Sequence, residues 1–184
     1  ADSTLEAFLS GDITDQQGRL NLHNLVTVAD GKAAPSEPDL AAFTRLFQQL
    51  GLPEAELARV LQNLLAATDP SPAAQAQSGA PLLPGRWSQV GWLGLSPRSV
   101  AALTPHASWL PKRTPLNLNT ASAEALYAAL PDSDMALTRA MVEQRKSSHF
   151  SSRDNLRQRF PSVSAAVLQS EHFETKSSFF EVRG

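Results

Sequence analysis

The stretch LNLNTASAEALYAALPDSDMALTRAMVEQR, residues 116–145, has the pattern of two helices joined by a tight hairpin. Thr120 is placed to cap the first helix, with Glu124 near the positive end of that helix. A break at Pro131–Asp134 precedes a second helix over Met135–Lys146. The pattern therefore predicts a helical hairpin in the C-terminal half of the chain.

The predicted hairpin resembles the helix-hairpin-helix module, which holds a nucleic-acid backbone. In that module a Gly-hydrophobic-Gly hairpin lets backbone amides approach a phosphate oxygen at the start of the second helix. This chain has Asp132, Ser133 and Asp134 at those positions, and the two carboxylates would repel a phosphate. Asp132 or Asp134 instead makes a good N-cap for the second helix. A nucleic-acid-binding module stays as the alternative function, but we expect no nucleic-acid partner.

The charge balance also argues against a nucleic-acid partner. The 184 residues carry a net charge of -2, whereas nucleic-acid-binding proteins usually have a basic excess. Six residues of the C-terminal half do form a locally basic surface, which a solvated helix face explains. These residues are Arg139, Arg145, Lys146, Arg153, Arg157 and Arg159.

No pattern in the sequence indicates an enzyme. The four histidines, His23, His106, His149 and His172, lack the spacing of a zinc site or a catalytic triad. The sequence has no GxSxG, P-loop, HExxH or Gly-rich dinucleotide turn. Because the chain contains no cysteine, disulfides and thiolate metal sites are excluded. We predict a non-enzymatic protein with no catalytic residue and no cofactor.

The N-terminal segment LEAFLSGDITDQQGRLNLHNLV has two apolar parts around a turn. We predict a strand near Glu6–Asp12, a turn, and a second extended piece at Arg19–Leu22. Short side chains such as Asp12 and Asp15 bond to nearby backbone amides in such turns, which is favoured over a calcium loop. The following ADGKAAPSEPD, residues 29–39, is predicted to be a linker.

The middle of the chain has the apolar spacing of amphipathic helices, with proline and glycine near their ends. Ser151 or Ser152 opens a further helix after the hairpin, and Pro161 ends it. Residues 69–86, rich in proline and alanine, are predicted to be a loop. The predicted helices outside the hairpin are 38–50, 53–67, 97–103, 152–160 and 162–170.

The last run, HFETKSSFFEVRG, is strand-like, so strand-like ends bracket a helical middle. One economical arrangement pairs the two ends in one antiparallel sheet, with the helical region inserted between them. This predicts an α+β fold, with the sheet in residues 1–34 and 171–184 and the helical region in 35–170. The helical region divides into a first half, 35–113, and the hairpin half, 114–170.

Two motifs in this order, DxQGRxNLxNL in residues 15–25 and LNxNTA in residues 116–121, resemble the minor pseudopilin K family of bacterial type II secretion systems. The leucine-rich helical stretch between them and LQSEHFETKSSFFEV after them extend the resemblance over nearly the full length. It implies a pilin-like antiparallel sheet that carries a large inserted α-helical domain. The residues of these motifs and of the turn are interpreted as fold-bearing. They are Asp12, Asp15, Gly18, Asn21, Asn24, Asn117, Asn119 and Thr120.

The resemblance also implies a structural role at the tip of a secretion pseudopilus. Members of the family join minor pseudopilins I and J in a tip complex that starts or caps assembly of the major pseudopilin G. Contacts with the secreted substrate or the outer-membrane secretin are implied as well. Members are single-pass inner-membrane proteins whose soluble part lies in the periplasm. Because the sequence starts at Ala1 without an apolar helix, we expect it to be a trimmed part of a longer protein.

Several members of the family have a segment rich in tryptophan and aspartate that can bind calcium. The corresponding stretch here is NLLAATDPSPAAQAQ, residues 63–77, in which Asp69 is the only carboxylate. A calcium ion needs six to eight oxygen ligands, usually with several carboxylates among them. We therefore expect this calcium site to be lost.

Overall fold

The computed structural model describes residues 11–68 and 82–183. Short strands at both ends of this region enclose a largely helical middle. The strands are β1 (Asp12–Asp15), β2 (Leu20–Asn21), β3 (Val26–Ala29), β4 (Lys32–Pro35), β5 (Ala107–Ser108), β6 (Leu116–Asn117), β7 (Phe173–Glu174) and β8 (Phe180–Arg183). The α-helices are α1 (Glu37–Leu50), α2 (Glu54–Thr68), α3 (Pro97–Leu103), α4 (Ala123–Ala129), α5 (Met135–Ser147), α6 (Arg153–Arg159) and α7 (Ala165–Gln169). Residues Gln16–Gly18, Leu22–Leu25 and Trp87–Leu93 form 3-10 helices.

The two ends of the described chain pair with each other, as the sequence predicts. Strands β1 and β8 run antiparallel, with Asp12 opposite Arg183 and Asp15 opposite Phe180. The turn predicted to follow the first strand is wrong in part, because β1 occupies Asp12–Asp15 within it. The β-branched residues Ile13 and Thr14 lie in the ladder, and the turn follows once the Asp15 side chain accepts a hydrogen bond from Gln17 N. Most of the predicted strand lies outside the described residues.

The predicted linker at residues 29–39 is instead a β-hairpin followed by a helix start. Strands β3 and β4 are joined by Asp30 and Gly31, which both have positive φ angles of 51° and 70°. Two such residues in a row are typical of the tight turn that matches the twist of a hairpin. The Asp-Gly dipeptide was the available signal for this hairpin. The proposed boundary between residues 34 and 35 falls inside β4, and the division of the chain into a sheet and a helical region stays a prediction.

Two short parallel pairings connect distant parts of the chain. Strand β2 pairs with β5, and β6 pairs with β7, so that Leu116 lies opposite Phe173. The predicted extended piece at Arg19–Leu22 thus corresponds to β2, which is followed directly by a 3-10 helix. Each of the four sheets in the described residues has two strands.

The predicted helices are present and share one hydrophobic core. Helix α1 ends at Gly51, whose φ of 63° is a left-handed conformation that glycine adopts without strain. Its residues Phe43, Leu46 and Phe47 are fully buried, and α1 packs on α4, which in turn packs on α5. Burial of each such side chain contributes about 2 kcal/mol, so the helical hairpin is fixed mainly through α1.

The caps of the helical hairpin differ in one respect from the prediction. Ser122, not Thr120, is the N-cap of α4, and its hydroxyl accepts a hydrogen bond from Ala125 N at 3.1 Å. The helix begins two residues later than expected because Asn117 and Asn119 already use this segment for a turn. The N-cap of α5 is Asp134, and that of α6 is Ser152. No helix among residues 11–68 and 82–183 is both long and apolar enough to cross a membrane.

Candidate functional site

Asp15 lies where three distant parts of the chain meet. Its Oδ2 atom accepts hydrogen bonds from Asn117 Nδ2 at 2.9 Å, Thr120 Oγ1 at 2.5 Å and Ser177 Oγ at 2.6 Å. Its Oδ1 atom accepts a hydrogen bond from Gln17 N at 2.8 Å. The carboxylate therefore ties the end of β1 to the entry of the helical hairpin and to the segment before β8.

Asn117 and Asn119 extend this network into the hairpin half. Asn117 Oδ1 accepts a hydrogen bond from Asn119 N at 2.9 Å, which forms a local turn. Asn119 contacts both backbone groups of Phe150, since its Nδ2 donates to Phe150 O at 2.9 Å and its Oδ1 accepts from Phe150 N at 2.8 Å. Its Nδ2 also donates to Thr175 O at 3.1 Å. One amide thus fixes the loop after α5 against the loop after β7.

Asn21 and Asn24 make a matching set of contacts to the segment after β5. Asn24 is 8% exposed and pairs with both backbone groups of Thr114, at 2.8 Å and 3.0 Å. Asn21 is 2% exposed, and its Oδ1 accepts from Leu110 N at 3.1 Å while its Nδ2 donates to Lys112 O at 2.8 Å. Because each amide uses its donor and its acceptor, the two side chains can be buried without an unsatisfied polar group.

Gly18 and Asp12 have very different surroundings. A Cβ atom on Gly18 would lie 2.9 Å from Thr120 Oγ1 and 3.0 Å from the carbonyl carbon of Thr120, so the space admits only glycine. Asp12, by contrast, is exposed, and within the described residues its side chain accepts only a 3.3 Å hydrogen bond from Thr14 Oγ1. We call this set of hydrogen-bonded polar residues the polar junction. The predicted motif residues lie in it, except Asp12, which lies at its edge.

Sequence reasoning missed several partners in this junction. The side chain of Gln17 is 3% exposed, donates to Pro115 O at 3.2 Å and accepts from Ser178 N at 2.6 Å. Gln17 lies in the DxQGRxNLxNL motif, which was the available signal for its role. Arg113 is a second missed residue, since its guanidinium pairs with Asp39 at 3.0 Å and donates to Val26 O at 3.2 Å.

The hairpin between α4 and α5 has no geometry for a phosphate. Asp134 Oδ1 accepts a hydrogen bond from Leu137 N at 2.7 Å, so the carboxylate itself occupies the start of α5. Asp132 is exposed beside it. An anion that approached these backbone amides would meet both carboxylates, which disfavours the helix-hairpin-helix mode of nucleic-acid binding.

Three arginines of the basic surface in the hairpin half donate hydrogen bonds to backbone carbonyls of the protein itself. Arg145 donates to Leu118 O at 2.8 Å, Arg153 to Ser170 O at 2.8 Å, and Arg159 to Ser148 O at 2.8 Å. Burial lowers the pKa of Arg145. The interpretation as a solvated face is therefore wrong for these three arginines, which hold backbone carbonyls in place.

The titratable groups do not assemble a catalytic or metal centre in the part of the chain that the structure describes. No group of three or more potential metal ligands occurs within residues 11–68 and 82–183. The pKa of His23 is lowered by burial, and its ring lies 5.2 Å from that of Trp109. Burial also lowers the pKa of His106, against a smaller opposite effect of Glu124. Asp69, the carboxylate considered for calcium, lies outside the described residues.

An apolar face of the β1–β8 pair is exposed to solvent. Ile13 lies opposite Val182 in the register, and Phe180 is two residues from Val182, so the three side chains share one face. They are 68%, 71% and 55% exposed, respectively. We call these three residues the ribbon face. Large apolar side chains that cluster on a surface are typical of contacts with another protein.

These features define a pilin-like α+β protein with a large helical insertion. The family described as type II secretion system (T2SS), protein K, matches residues 18–112 and 116–176. Because one of these matches alone spans more than half of the chain, the protein belongs to this family of minor pseudopilins. The family consists of structural proteins of the cell envelope and is not known for enzymatic activity.

The fold is similar to that of a solved structure. A chain in the crystal structure of the GspK-GspI-GspJ complex from the enterotoxigenic Escherichia coli type 2 secretion system superposes with a TM-score of 0.69. The identity is 19%, and the match covers 94% of this chain and 67% of that chain. At this identity the likeness establishes the fold. No curated protein matches the chain.

Proposed function

We propose that this protein is a non-enzymatic subunit of the pseudopilus tip, where it joins minor pseudopilins I and J. The observation that carries the proposal is the likeness over 94% of the chain to a chain from the GspK-GspI-GspJ complex. In this function the chain starts or caps assembly of the major pseudopilin G. Contacts with the secreted substrate or the secretin belong to the same proposal. The protein is held in the inner membrane by one N-terminal helix, with the described region in the periplasm.

The ribbon face is the surface we propose for contact with the other pseudopilins. It lies on the pairing of the two chain ends, away from the helical core around α1 and α4. Burial of exposed apolar side chains supplies most of the free energy of such contacts, and the polar rim selects the partner. The helical insertion would then remain on the outer side of the tip, where its bulk prevents another subunit from stacking above.

A pair of matched variants tests the contact surface. Ile13→Asp should weaken binding to the soluble parts of pseudopilins I and J by at least about tenfold, because the carboxylate would be buried without a partner. Val28→Asp is the control, since Val28 is 53% exposed on the separate β3–β4 hairpin and should leave binding unchanged. Calorimetry or biolayer interferometry would measure both. Equal binding by both variants and the wild type would contradict this surface.

We also propose that the family's calcium site is absent here. The support is the sequence, in which residues 63–77 contain one carboxylate where a calcium ion requires several. The test is a calcium titration of the chain by calorimetry, with thermal unfolding in calcium and in chelator as a second readout. We expect no stoichiometric heat and no change in the unfolding temperature. A tight signal with one calcium per chain would contradict the proposal.

A further inference from the structure

A cleft of about 670 Å³ lies beside the polar junction, on the side of the segments that flank β7 and precede β6. Three cationic side chains from separate parts of the chain line it, Lys112, Arg153 and Lys176. The carboxylate of Glu174 is the one acidic side chain in its lining. We call this cavity the basic cleft. Its charge is opposite in sign to the net charge of -2 of the whole chain.

The cations of the basic cleft are not neutralised within the described residues. None of the ion pairs found there includes Lys112, Arg153 or Lys176. Arg113 also borders the cavity, but its charge is compensated by Asp39 at 3.0 Å. The basic cleft therefore keeps an excess of positive charge after its internal contacts are counted.

Two cationic side chains of the basic cleft, Arg153 and Lys112, have contacts that position them. Arg153 Nη1 donates to Ser170 O at 2.8 Å, which leaves the rest of its guanidinium fork for another acceptor. The Lys112 ammonium lies 5.8 Å from the centre of the Phe179 ring, in cation–π contact. Both lysines are exposed. An ammonium pair and a positioned guanidinium are groups that bind carboxylates through charge-assisted hydrogen bonds.

Hydroxyl groups complete the lining. Ser151 and Thr175 border the cavity beside the cations, and each hydroxyl can donate a hydrogen bond to an oxygen of a ligand. Glu174 offsets part of the positive charge of the lining. Its Oε2 atom already accepts a hydrogen bond from Thr175 N at 3.2 Å.

We propose that the basic cleft binds an acidic segment of a partner protein in the pseudopilus tip, which rests on the proposed function. The cations come from three separate segments, so a ligand with several carboxylates can pair with more than one of them. The volume falls in the range of about 300–1,000 Å³ that is usual for binding clefts. Nucleic acid is disfavoured because the start of α5 presents the carboxylate of Asp134 where a helix-hairpin-helix module would bind a phosphate.

The test measures binding of a hexaglutamate peptide to the full chain by fluorescence anisotropy. Wild-type protein should bind the peptide, and binding should weaken at least about tenfold between low salt and ~0.5 M salt because exposed charges are screened. The double variant K112E/K176E should lose binding by at least about tenfold. The milder K112Q/K176Q variant should also weaken binding. It controls for misfolding of the charge-reversed variant.

A matched control carries the same change in net charge at another basic surface. In R139E/R157E two exposed side chains of α5 and α6 are reversed, and peptide binding should stay within about twofold of wild type because their long-range effect is screened. Equal losses of peptide affinity in both double variants would show that overall charge, and not the basic cleft, causes the effect. This result would overturn the proposal. It would also be overturned if the wild type failed to bind hexaglutamate at ~1 mM, about the weakest affinity of interest.

Three further measurements distinguish the acidic segment from other ligands and distinguish this proposal from the proposed function. Inorganic phosphate at ~10 mM should not displace the peptide beyond its ionic-strength effect, and full displacement would indicate a small-anion site instead. Duplex DNA that bound wild type but not K112E/K176E would assign the cleft to nucleic acid and overturn the proposal.

Pseudopilins I and J that bound wild type and K112E/K176E equally would show that the cleft takes no part in the tip contact, while the proposed function would stand. Failure of I and J to bind the wild type would contradict the proposed function and the tip partner proposed here, whereas the result for hexaglutamate binding to the cleft would stand.

Discussion

Asp15 shows how a single carboxylate can join parts of a chain that are far apart in sequence. Its partners Asn117, Thr120 and Ser177 come from the hairpin entry and from the segment before β8. Hydrogen bonds to a charged acceptor are worth about 1.5–3 kcal/mol each when the group is protected from water. Removal of the carboxylate leaves these donors without their acceptor. The resulting loss of stability should therefore be larger than the loss caused by removal of an exposed aspartate.

Replacement of Asp15 by alanine should therefore destabilise the fold. We expect Asp15→Ala to lower the free energy of unfolding by about 2–4 kcal/mol, measured by urea denaturation. Asp12→Ala is the control within the same strand, because the Asp12 carboxylate accepts only one 3.3 Å hydrogen bond at the surface. Its effect should stay within about 0.5 kcal/mol. Similar effects of the two substitutions would contradict the role assigned to Asp15.

The close approach of Gly18 to Thr120 makes a second prediction. Gly18→Ala should cost about 1–3 kcal/mol, because a Cβ would lie 3.0 Å from backbone atoms of Thr120 that cannot move like a flexible side chain. Gly91→Ala serves as the control, since a Cβ there would meet no atom within 4 Å. That variant should be neutral or slightly stabilising in the same denaturation experiment. An unchanged stability of Gly18→Ala would show that the two segments are not held this closely.

At the scale of elements, helix ends follow local sequence while strands depend on distant partners. The ends of α1, at Ser36 and Gly51, could be predicted because proline and glycine determine the backbone conformation there. The β3–β4 hairpin was predicted as a linker because its residues Lys32–Pro35 have almost no strand preference of their own. Strand β1 was predicted as part of a turn, because its limits are set by pairing with β8 and not by its own sequence.

Only some residues of the polar junction, and not its geometry, could be predicted from the sequence. The asparagines of NLxNL and LNxNT are unusual between apolar residues, which indicates a structural role for their amides. Two of their partners, Thr114 O and Phe150 N, lie 90 and 31 residues away and are backbone atoms that carry no sequence signal. Thr120 was assigned to a helix cap for this reason, although its hydroxyl bonds to Asp15.

The start of α5 offers a test at this scale. Asp134→Ala should lower the free energy of unfolding by about 1 kcal/mol, because the hydrogen bond from Leu137 N at 2.7 Å loses its acceptor. Asp132→Ala in the same hairpin is the control and should have a much smaller effect, since no hydrogen bond of the Asp132 side chain is found among the described residues. Chemical denaturation of both variants would measure the difference. The reverse order would show that Asp132 caps the helix instead.

At the scale of the whole molecule, the fold separates a helical body from a paired set of chain ends. The core around α1, α4 and α5 is shielded from solvent, while the ribbon face exposes Ile13, Phe180 and Val182. A protein that acts by assembly needs such a division, because one part must be stable alone and another must bury apolar surface only with a partner.

The most direct test of this account is the mass of the complex formed with pseudopilins I and J. Light scattering coupled to size exclusion would be applied to an equimolar mixture of this 19.8 kDa chain and the soluble parts of both proteins. We expect a stable species whose mass equals the sum of one copy of each. Separate elution of the three proteins at micromolar concentration would contradict assembly through the region described here.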